Sequence, residues 1–376
     1  MVMGAAGPEG PALQTGDTRA MVMGAAGPEG PALRSDGAPD LQVRGTPCAP
    51  QLKVRWGVLG VAKIATQKVI PAMQTCARAT VAAIASRDIA RADLAAIALD
   101  IPASYGSYEE LIADPDVDAV YIPLPNHLHV AWATRAAEAG KHVLCEKPIG
   151  LTAADVRALI DVRDRTGVMI QEAFMYRAHP QWRRALEIVH SGRLGEIRAV
   201  SGAFSYNNPD PANIRNVAAW GGGGLYDIGC YLVNSARLIF GSEPRRVRGL
   251  MARDPETGVD RLASMLLEFE QGHAIGVCGT RHVPYQRIQI LGTKARLEIE
   301  VPFNTTPVHP TRLYIDDGGD LRGGNIETIE LPPADQFAIQ CEELSIAILT
   351  RAPAPYPLED SLANMTAIEA VITLSE

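Results

Sequence analysis

The chain has 376 residues, of which 47% are apolar, 21% charged and 5% aromatic; this suffices for two ordinary domains with real cores and excludes fibrous, disordered and disulfide-stapled classes. Lys and Arg total 35 against 43 Asp and Glu, a net charge of −8 with no basic stripe, which argues against nucleic acid or an anionic membrane surface as partner. The longest apolar stretches, such as 79–85, fall far short of the roughly 20 residues of a spanning helix.

Residues 1–50 are rich in Gly, Ala and Pro and repeat the block MVMGAAGPEGPAL, from Met1 to Leu13 and from Met21 to Leu33. Such a segment builds no core; residues 1–53 are expected to be a disordered or arm-like extension, with the repeat a duplicated leader. From Val54 onward, short β-branched runs alternate with amphipathic stretches. Strands are predicted over 54–59, 80–86, 119–122, 142–145 and 168–171, and helices over 63–74, 89–99, 108–113, 129–139 and 153–166. This α/β alternation predicts a doubly wound parallel sheet, an NADP-binding Rossmann domain over 54–176. A helix over 181–191 and a long strand over 197–206 then lead to a glycine run with another helix behind it. Strands follow over 246–252, 261–270, 273–280, 287–291 and 295–301, joined by turns such as Gln271-Gly272 and Gly292-Thr293. They predict an α+β substrate and dimerisation domain over 177–334 with an open, mostly antiparallel sheet. Its uncovered apolar face is a candidate homodimer surface. The last segment, 335–376, is read as helices over 335–349 and 358–374 that pack back on the first domain.

The six cysteines (Cys48, Cys76, Cys145, Cys230, Cys278 and Cys341) lie far apart with no C-x-x-C pair. That spacing argues against a zinc site and fits a reducing compartment, so no metal and a cytoplasmic location are expected. The turn after the first strand reads Gly57-Val58-Leu59-Gly60-Val61-Ala62-Lys63-Ile64-Ala65, with Gly60, Ala62 and Ala65 in the three slots of G-x-G-x-x-G/A. Gly60 makes the tight turn, Ala65 is small enough for helix-to-strand packing, and Ala62 leaves a helix N-terminus free to bind an anion. Gly60, Val61, Ala62, Lys63 and Ile64 are therefore expected at the cofactor. Where an NAD enzyme places Asp or Glu after the second strand, this chain has Ser86-Arg87. A hydroxyl and a guanidinium suit a 2′-phosphate, so NADP is the expected cofactor. Asp88 is read as the N-cap of the next helix.

Three further segments carry the chemistry: Leu124-Pro125-Asn126-His127-Leu128-His129, Cys145-Glu146-Lys147-Pro148, and Gly221-Gly222-Gly223-Gly224-Leu225-Tyr226-Asp227-Ile228-Gly229-Cys230-Tyr231. On these motifs the chain from Val54 to the C-terminus resembles the glucose–fructose oxidoreductase (Gfo/Idh/MocA) family. Tyrosine in the last position resembles the branch of aldose–aldose oxidoreductases, NADP-dependent xylose dehydrogenases and dihydrodiol dehydrogenases. The resemblance implies sugars or polyols as substrates and Lys147, Asp227 and Tyr231 as the catalytic residues. Lys147 would polarise the substrate hydroxyl and the tyrosine, Asp227 would orient the substrate, and Tyr231 would transfer the proton. It also implies that Pro123, Asn126, His129, Glu146 and Lys147 meet the cofactor.

The chemistry supports the same residues. Oxidising an alcohol needs a base beside the nicotinamide, and Tyr231 is the candidate if a cation makes its phenol acidic. An ammonium about 4 Å away at an effective dielectric of about 20 is worth about 4 kcal/mol, so Lys147 is expected to do this. Asp227 and Tyr231 are four residues apart and share a helix face. Tyr176 and Arg177, where the chain crosses between domains, are expected to line the substrate pocket with them, and glycines 221–224 to allow close backbone approach to substrate. The expected activity is oxidation of an aldose at C1 to an aldonolactone, with tightly bound NADP and reduction of a second sugar as one form. A dihydrodiol dehydrogenase, a nucleotide-sugar ketoreductase and a non-catalytic dinucleotide-binding regulator are the alternatives; over 206–219 only Arg215 offers a cation for a nucleotide's phosphates.

Overall fold

The computed structural model describes residues 52–375. The N-terminal repeat, and all but the last two residues of the expected 1–53 extension, lie outside the described residues. Strands β1 (Val54–Leu59), β2 (Ala79–Ala85), β3 (Ala103–Tyr105), β4 (Ala119–Ile122), β5 (His142–Cys145) and β6 (Ile170–Glu172) form one sheet. Every pair is parallel, in the order β3-β2-β1-β4-β5-β6. This is the doubly wound sheet expected from the sequence, and its order reverses between β1 and β4, where such sheets open a crevice beyond the strand ends. Each residue of β4 is buried, as a strand covered on both faces requires.

Helices α1 (Ile70–Gln74), α2 (Ile89–Ala98), α3 (Tyr108–Ala113), α4 (His129–Glu138) and α5 (Ala153–Thr166) make the crossovers. Helix α5 opens on a capping box between Thr152 and Asp155 and stops at Gly167, φ +71°. The predicted helix over 63–74 contains a π-helical turn at Ala65–Val69 before α1. Pro71 has no N–H to return to Gln67, so a regular α-helical ladder cannot run through this point. Strand β3 escaped prediction because three residues on a sheet edge show no readable alternation.

The second sheet has eight strands: β7 (Ile197–Asn207), β8 (Arg246–Arg253), β9 (Asp260–Glu268), β10 (His273–Gly279), β11 (Arg281–Gly292), β12 (Arg296–Ile299), β13 (Thr311–Asp316) and β14 (Glu327–Leu331). Their order is β14-β13-β12-β11-β7-β10-β9-β8, antiparallel except at β7–β10. The mostly antiparallel sheet is thus as expected, but wider. Helices α6 (Pro180–His190) and α7 (Cys230–Phe240) pack on it. The strand predicted over 287–291 starts earlier, with an irregular register between Arg281 and Tyr285 where Pro284 interrupts the ladder.

Two helices end the chain, α8 (Gln336–Thr350) and α9 (Leu358–Thr373). Cys341 and Leu344 of α8 join Trp56, Ile70 and Met73 in one core, and the buried Trp56 indole donates to the Ser345 hydroxyl at 3.1 Å. Helix α9 packs on α5, α7 and β8. A larger apolar core runs from Leu59 and Ile122 through Tyr176 and Trp182 to Ile288 and Leu313, so both sheets share it and the cleft between them has rigid walls. No helix among the described residues is long and apolar enough to cross a membrane.

Candidate active site

A cleft of about 1790 Å³ runs past the ends of β1, β2, β4 and β5, with β7 and β11 on its other side. At one end Gly60 takes φ +112°, a conformation that demands glycine, and a Cβ there would also lie 3.0 Å from the Leu124 side chain. Val61, Ala62, Lys63 and Ile64 follow along the wall, where the first helical turn has amides with no intrahelical acceptor. Ser86 and Arg87 also line the cleft. The Ser86 hydroxyl accepts from the Asp88 amide at 3.2 Å, and the Asp88 carboxylate accepts from the Ala90 amide at 3.1 Å. Asp88 is therefore engaged by its own helix, as its N-cap. Arg91 and Tyr108 are additional lining residues; Arg91 stands in the first turn of α2, past the N-cap Asp88 that separates it from Arg87. A turn only glycine fits, a helix start and two arginines around a serine suit a dinucleotide.

Pro123, Asn126, Glu146 and Lys147 line the middle of the cleft. Asn126 Nδ2 donates to the Gly221 carbonyl at 2.9 Å, tying the loop after β4 to the glycine run, and Glu146 accepts from the buried Tyr121 hydroxyl at 2.7 Å. Three expected site residues lie outside the lining. His129 is fully buried, its Nδ1 2.8 Å from the Pro148 carbonyl and its Nε2 2.7 Å from that of Leu124. Burial outweighs these contacts and pushes its pKa down to about 4, so at neutral pH the ring carries one N–H, donates to one of the two carbonyls and lies outside the cleft lining. Tyr176 is fully buried against Trp182 and Phe303, and its hydroxyl donates to Asn234. Arg177 pairs with Asp360 and lies 4.3 Å from the centre of the Tyr356 ring. The crossing segment thus turns these two towards the core and α9; Met175 is the member of it that reaches the cleft.

Lys147 and Asp227, 80 positions apart, meet in the cleft. The Lys147 ammonium donates to the Asp227 carbonyl at 2.6 Å and to Oδ1 at 3.2 Å, with the two side chains 11% and 14% exposed. Burial is the largest single influence and opposes the lysine's charge, but Asp227 together with Cys230 and Glu146 outweighs it and Lys147 is pushed up. Burial would likewise raise Asp227; Lys147 and Arg215 hold it well below the usual carboxylate range. Two of the three ammonium hydrogens are thereby taken, and the third is available to a substrate oxygen.

Tyr231 lines the cleft four residues beyond Asp227, but not in the protonation state anticipated. Lys147 Nζ sits over its ring, 5.1 Å from the centroid, while its hydroxyl faces the Met175 sulfur at 3.4 Å. Burial pushes the phenol well up, and an ammonium at the ring face does not donate to the phenolate oxygen. The acidic tyrosine expected from the Lys147 pairing is therefore replaced by a cation–π contact.

The glycine run has a second reason to exist. Gly223 takes φ +121°, and a Cβ there would overlap the Asp260 carboxylate, which accepts from the Leu225 amide at 2.7 Å. The close approach is thus by protein, and Asp260 anchors the π-helical turn Leu225–Gly229 that carries Asp227. Sequence reasoning also missed Tyr206, whose hydroxyl donates to Asp227 Oδ2 at 2.6 Å, and the role of Arg215, whose Nε reaches the same oxygen at 2.9 Å.

Comparison with known proteins agrees with this geometry. Residues 54–174 match the GFO/IDH/MocA oxidoreductase family model, described as an NAD-binding Rossmann fold, and residues 182–298 match the GFO/IDH/MocA C-terminal domain. D-xylose 1-dehydrogenase (NADP(+)) 2 of Haloferax volcanii is 40% identical, over 85% of this chain and 97% of its own. A 3-ketoreductase of Actinomadura kijaniata, solved with NADP and TDP-benzene, superposes with a TM-score of 0.81 at 31% identity, over 86% and 98% of the two chains. The aldose–aldose oxidoreductase of Caulobacter crescentus, solved with glycerol, gives a TM-score of 0.78 at 29% identity, over 86% and 97%. The chain, with its Rossmann sheet, open second sheet and Lys147–Asp227 pair between them, belongs to the GFO/IDH/MocA family of NAD(P)-dependent oxidoreductases.

Proposed function

We propose that the protein is an NADP-dependent sugar oxidoreductase that oxidises an aldose at C1 to an aldonolactone. The observation that carries this reading is the state of charge in the substrate half of the cleft. Its two arginines are already paired, Arg215 with Asp227 at 2.9 Å and Arg287 with Glu298 at 3.4 Å. The other polar lining includes Asn208, Asp210, Asn213, Gln286, Glu300 and Asn304. Amides and carboxylates suit sugar hydroxyls, and the carboxylates repel a diphosphate, which favours a free sugar over a nucleotide-linked one. Trp220, stacked on His127 at 5.4 Å, adds an aromatic wall.

Ser86, Arg87 and Arg91 would hold the 2′-phosphate of NADP and residues 60–64 its pyrophosphate. The dinucleotide, when bound, supplies the hydride acceptor. Lys147, once it has given up a proton, takes the proton of the reacting hydroxyl and as the ammonium stabilises negative charge on that oxygen, Asp227 orients it, and Tyr231 backs it with its ring. The test is turnover with NADP and NAD over aldoses, dihydrodiols and TDP-linked keto sugars. Reduction of NADP by free aldoses is expected; activity confined to TDP-sugars or to diols would overturn the reading. A copurifying nucleotide that changes redox state when an aldose is added would identify the two-sugar form.

We further propose a homodimer through the open sheet. Leu250, Leu266, Ile275 and Val277, 62%, 43%, 54% and 46% exposed, lie on the adjacent strands β8, β9 and β10, a patch that a second copy would bury. Sedimentation equilibrium should give twice the 40.2 kDa of the chain, and Ile275→Asp should give the monomer. A monomeric parent protein would remove the proposal.

A further inference from the structure

Asp227 is held from three elements. Lys147, after β5, takes Oδ1; the Tyr206 hydroxyl, at the end of β7, and Arg215 Nε, from the turn Ile214–Asn216, both donate to Oδ2 at 2.6 and 2.9 Å. We propose that Tyr206 and Arg215 are positioning residues of the reaction: by occupying Oδ2 from two directions they fix the plane of the Asp227 carboxylate, so that Oδ1 holds the Lys147 ammonium in one orientation with one hydrogen free for the substrate. The inference rests on the reading that Lys147 and Asp227 serve the chemistry, and not on which alcohol is oxidised.

A carboxylate with a single partner can turn about its Cβ–Cγ bond and carry that partner with it. Two charge-assisted or short donors on the other oxygen remove this freedom, and small errors at a reacting group cost rate steeply. The backbone around Arg215 is itself built in. A Cβ on Gly222 would lie 2.5 Å from the Arg215 carbonyl and 2.8 Å from that of Val217, and the amides of Gly223 and Gly222 donate to these same carbonyls at 2.9 and 3.1 Å. The glycine run thus seats Arg215 as well as admitting Asp260, which links a lone arginine to a motif that begins six residues later. Burial, with Asp227 beside it, pushes the Tyr206 phenol up, so it stays protonated and remains a donor.

The groups facing Asp227 are Lys147, with Glu146 behind it, Arg215, Tyr206, and Cys230 and Tyr231 on its own helical segment. Removing Arg215 takes away a cation that lowers Asp227, so the carboxyl should protonate at higher pH. Removing the Tyr206 hydroxyl deletes a hydrogen bond and no charge, so the shift should be smaller.

The test uses Arg215→Met, Arg215→Lys and Tyr206→Phe in the full chain. Arg215→Met should lower kcat by about 10- to 100-fold with KM changed by less than about 3-fold, and should raise the acid limb of the kcat profile for carbonyl reduction, the direction that uses the charged Lys147–Asp227 pair, by about one pH unit. Arg215→Lys should restore the limb, and Tyr206→Phe should lower kcat with a smaller shift. A substrate-free readout is the ¹³C carboxyl resonance of Asp227, identified by its loss in Asp227→Asn; its midpoint should rise in Arg215→Met. If the acid limb and the ¹³C midpoint of Arg215→Met coincide with the parent's, the proposal is overturned. If free aldoses are not turned over but the midpoint moves, the substrate reading fails and the positioning role of Arg215 stands.

Discussion

Replacing Lys147 by methionine is expected to lower turnover by about 10³-fold, the loss typical of removing a positioned proton donor that also stabilises charge on the reacting oxygen. The stem of the side chain is kept and Asp227 retains Arg215 and Tyr206 as partners, so the fold should survive and circular dichroism should match the parent. Nucleotide affinity should change little, because Lys147 is only one of many residues along the cofactor half of the cleft. Tyr231→Phe should cost less than about 10-fold, since its hydroxyl faces a thioether, a weak acceptor. The sign of the pH dependence follows from Lys147 being held protonated. Reduction of a carbonyl uses the protonated lysine and should slow as pH rises; oxidation must first lose a proton from the Lys147–Asp227 pair and should speed up over the same range. Stopped-flow rates in both directions for the two variants would check this. A tyrosine variant as damaged as the lysine variant would return the proton to Tyr231 and refute the assignment.

The difference between those two residues shows where a sequence stops being informative. The bounds of β1, β4, β5, α3 and α5 were readable because continuous apolar runs and capping residues are local signals. Strand β13 had a local signal too, Leu313 and Ile315 alternating inward, but followed a long loop and was not read. The motif placed Lys147, Asp227 and Tyr231 in one site, yet said nothing of where the phenol oxygen points; that depends on Phe174, Tyr176, Phe204 and Phe303 packed around the ring. Tyr176 and Arg177 were placed in the pocket because their segment crosses between domains. Within that short turn Met175 faces the cleft while Tyr176 enters the core, a choice made by partners far away in the chain. Tyr206 and Arg215 reach Asp227 from 21 and 12 positions away, with no periodicity to announce them. Their signal was negative: Arg215 is the single cation in its stretch.

Replacing Arg87 by leucine is expected to lower kcat/KM with NADP by about 10- to 100-fold, the equivalent of the roughly 1.5–3 kcal/mol of a hydrogen bond to a charged group, while changing kcat/KM with NAD by less than about 3-fold. The asymmetry arises because only NADP carries the 2′-phosphate that the guanidinium would meet. Arg91, in the first turn of α2, belongs to the same lining, so its cation remains and the single loss should be incomplete. Arg91→Leu alone should have a smaller effect, and the double variant should lose more than either, measured against both nucleotides by initial rates. Asp88 then decides what is left. Its carboxylate caps α2 through the Ala90 amide, and with the arginines gone it should repel a 2′-phosphate without gaining the free ribose contact an NAD enzyme provides. The double variant should therefore become poor with NADP rather than good with NAD. If Arg87→Leu leaves the ratio of the two nucleotides unchanged, the phosphate is held elsewhere and Ser86-Arg87 is only a turn at the end of β2.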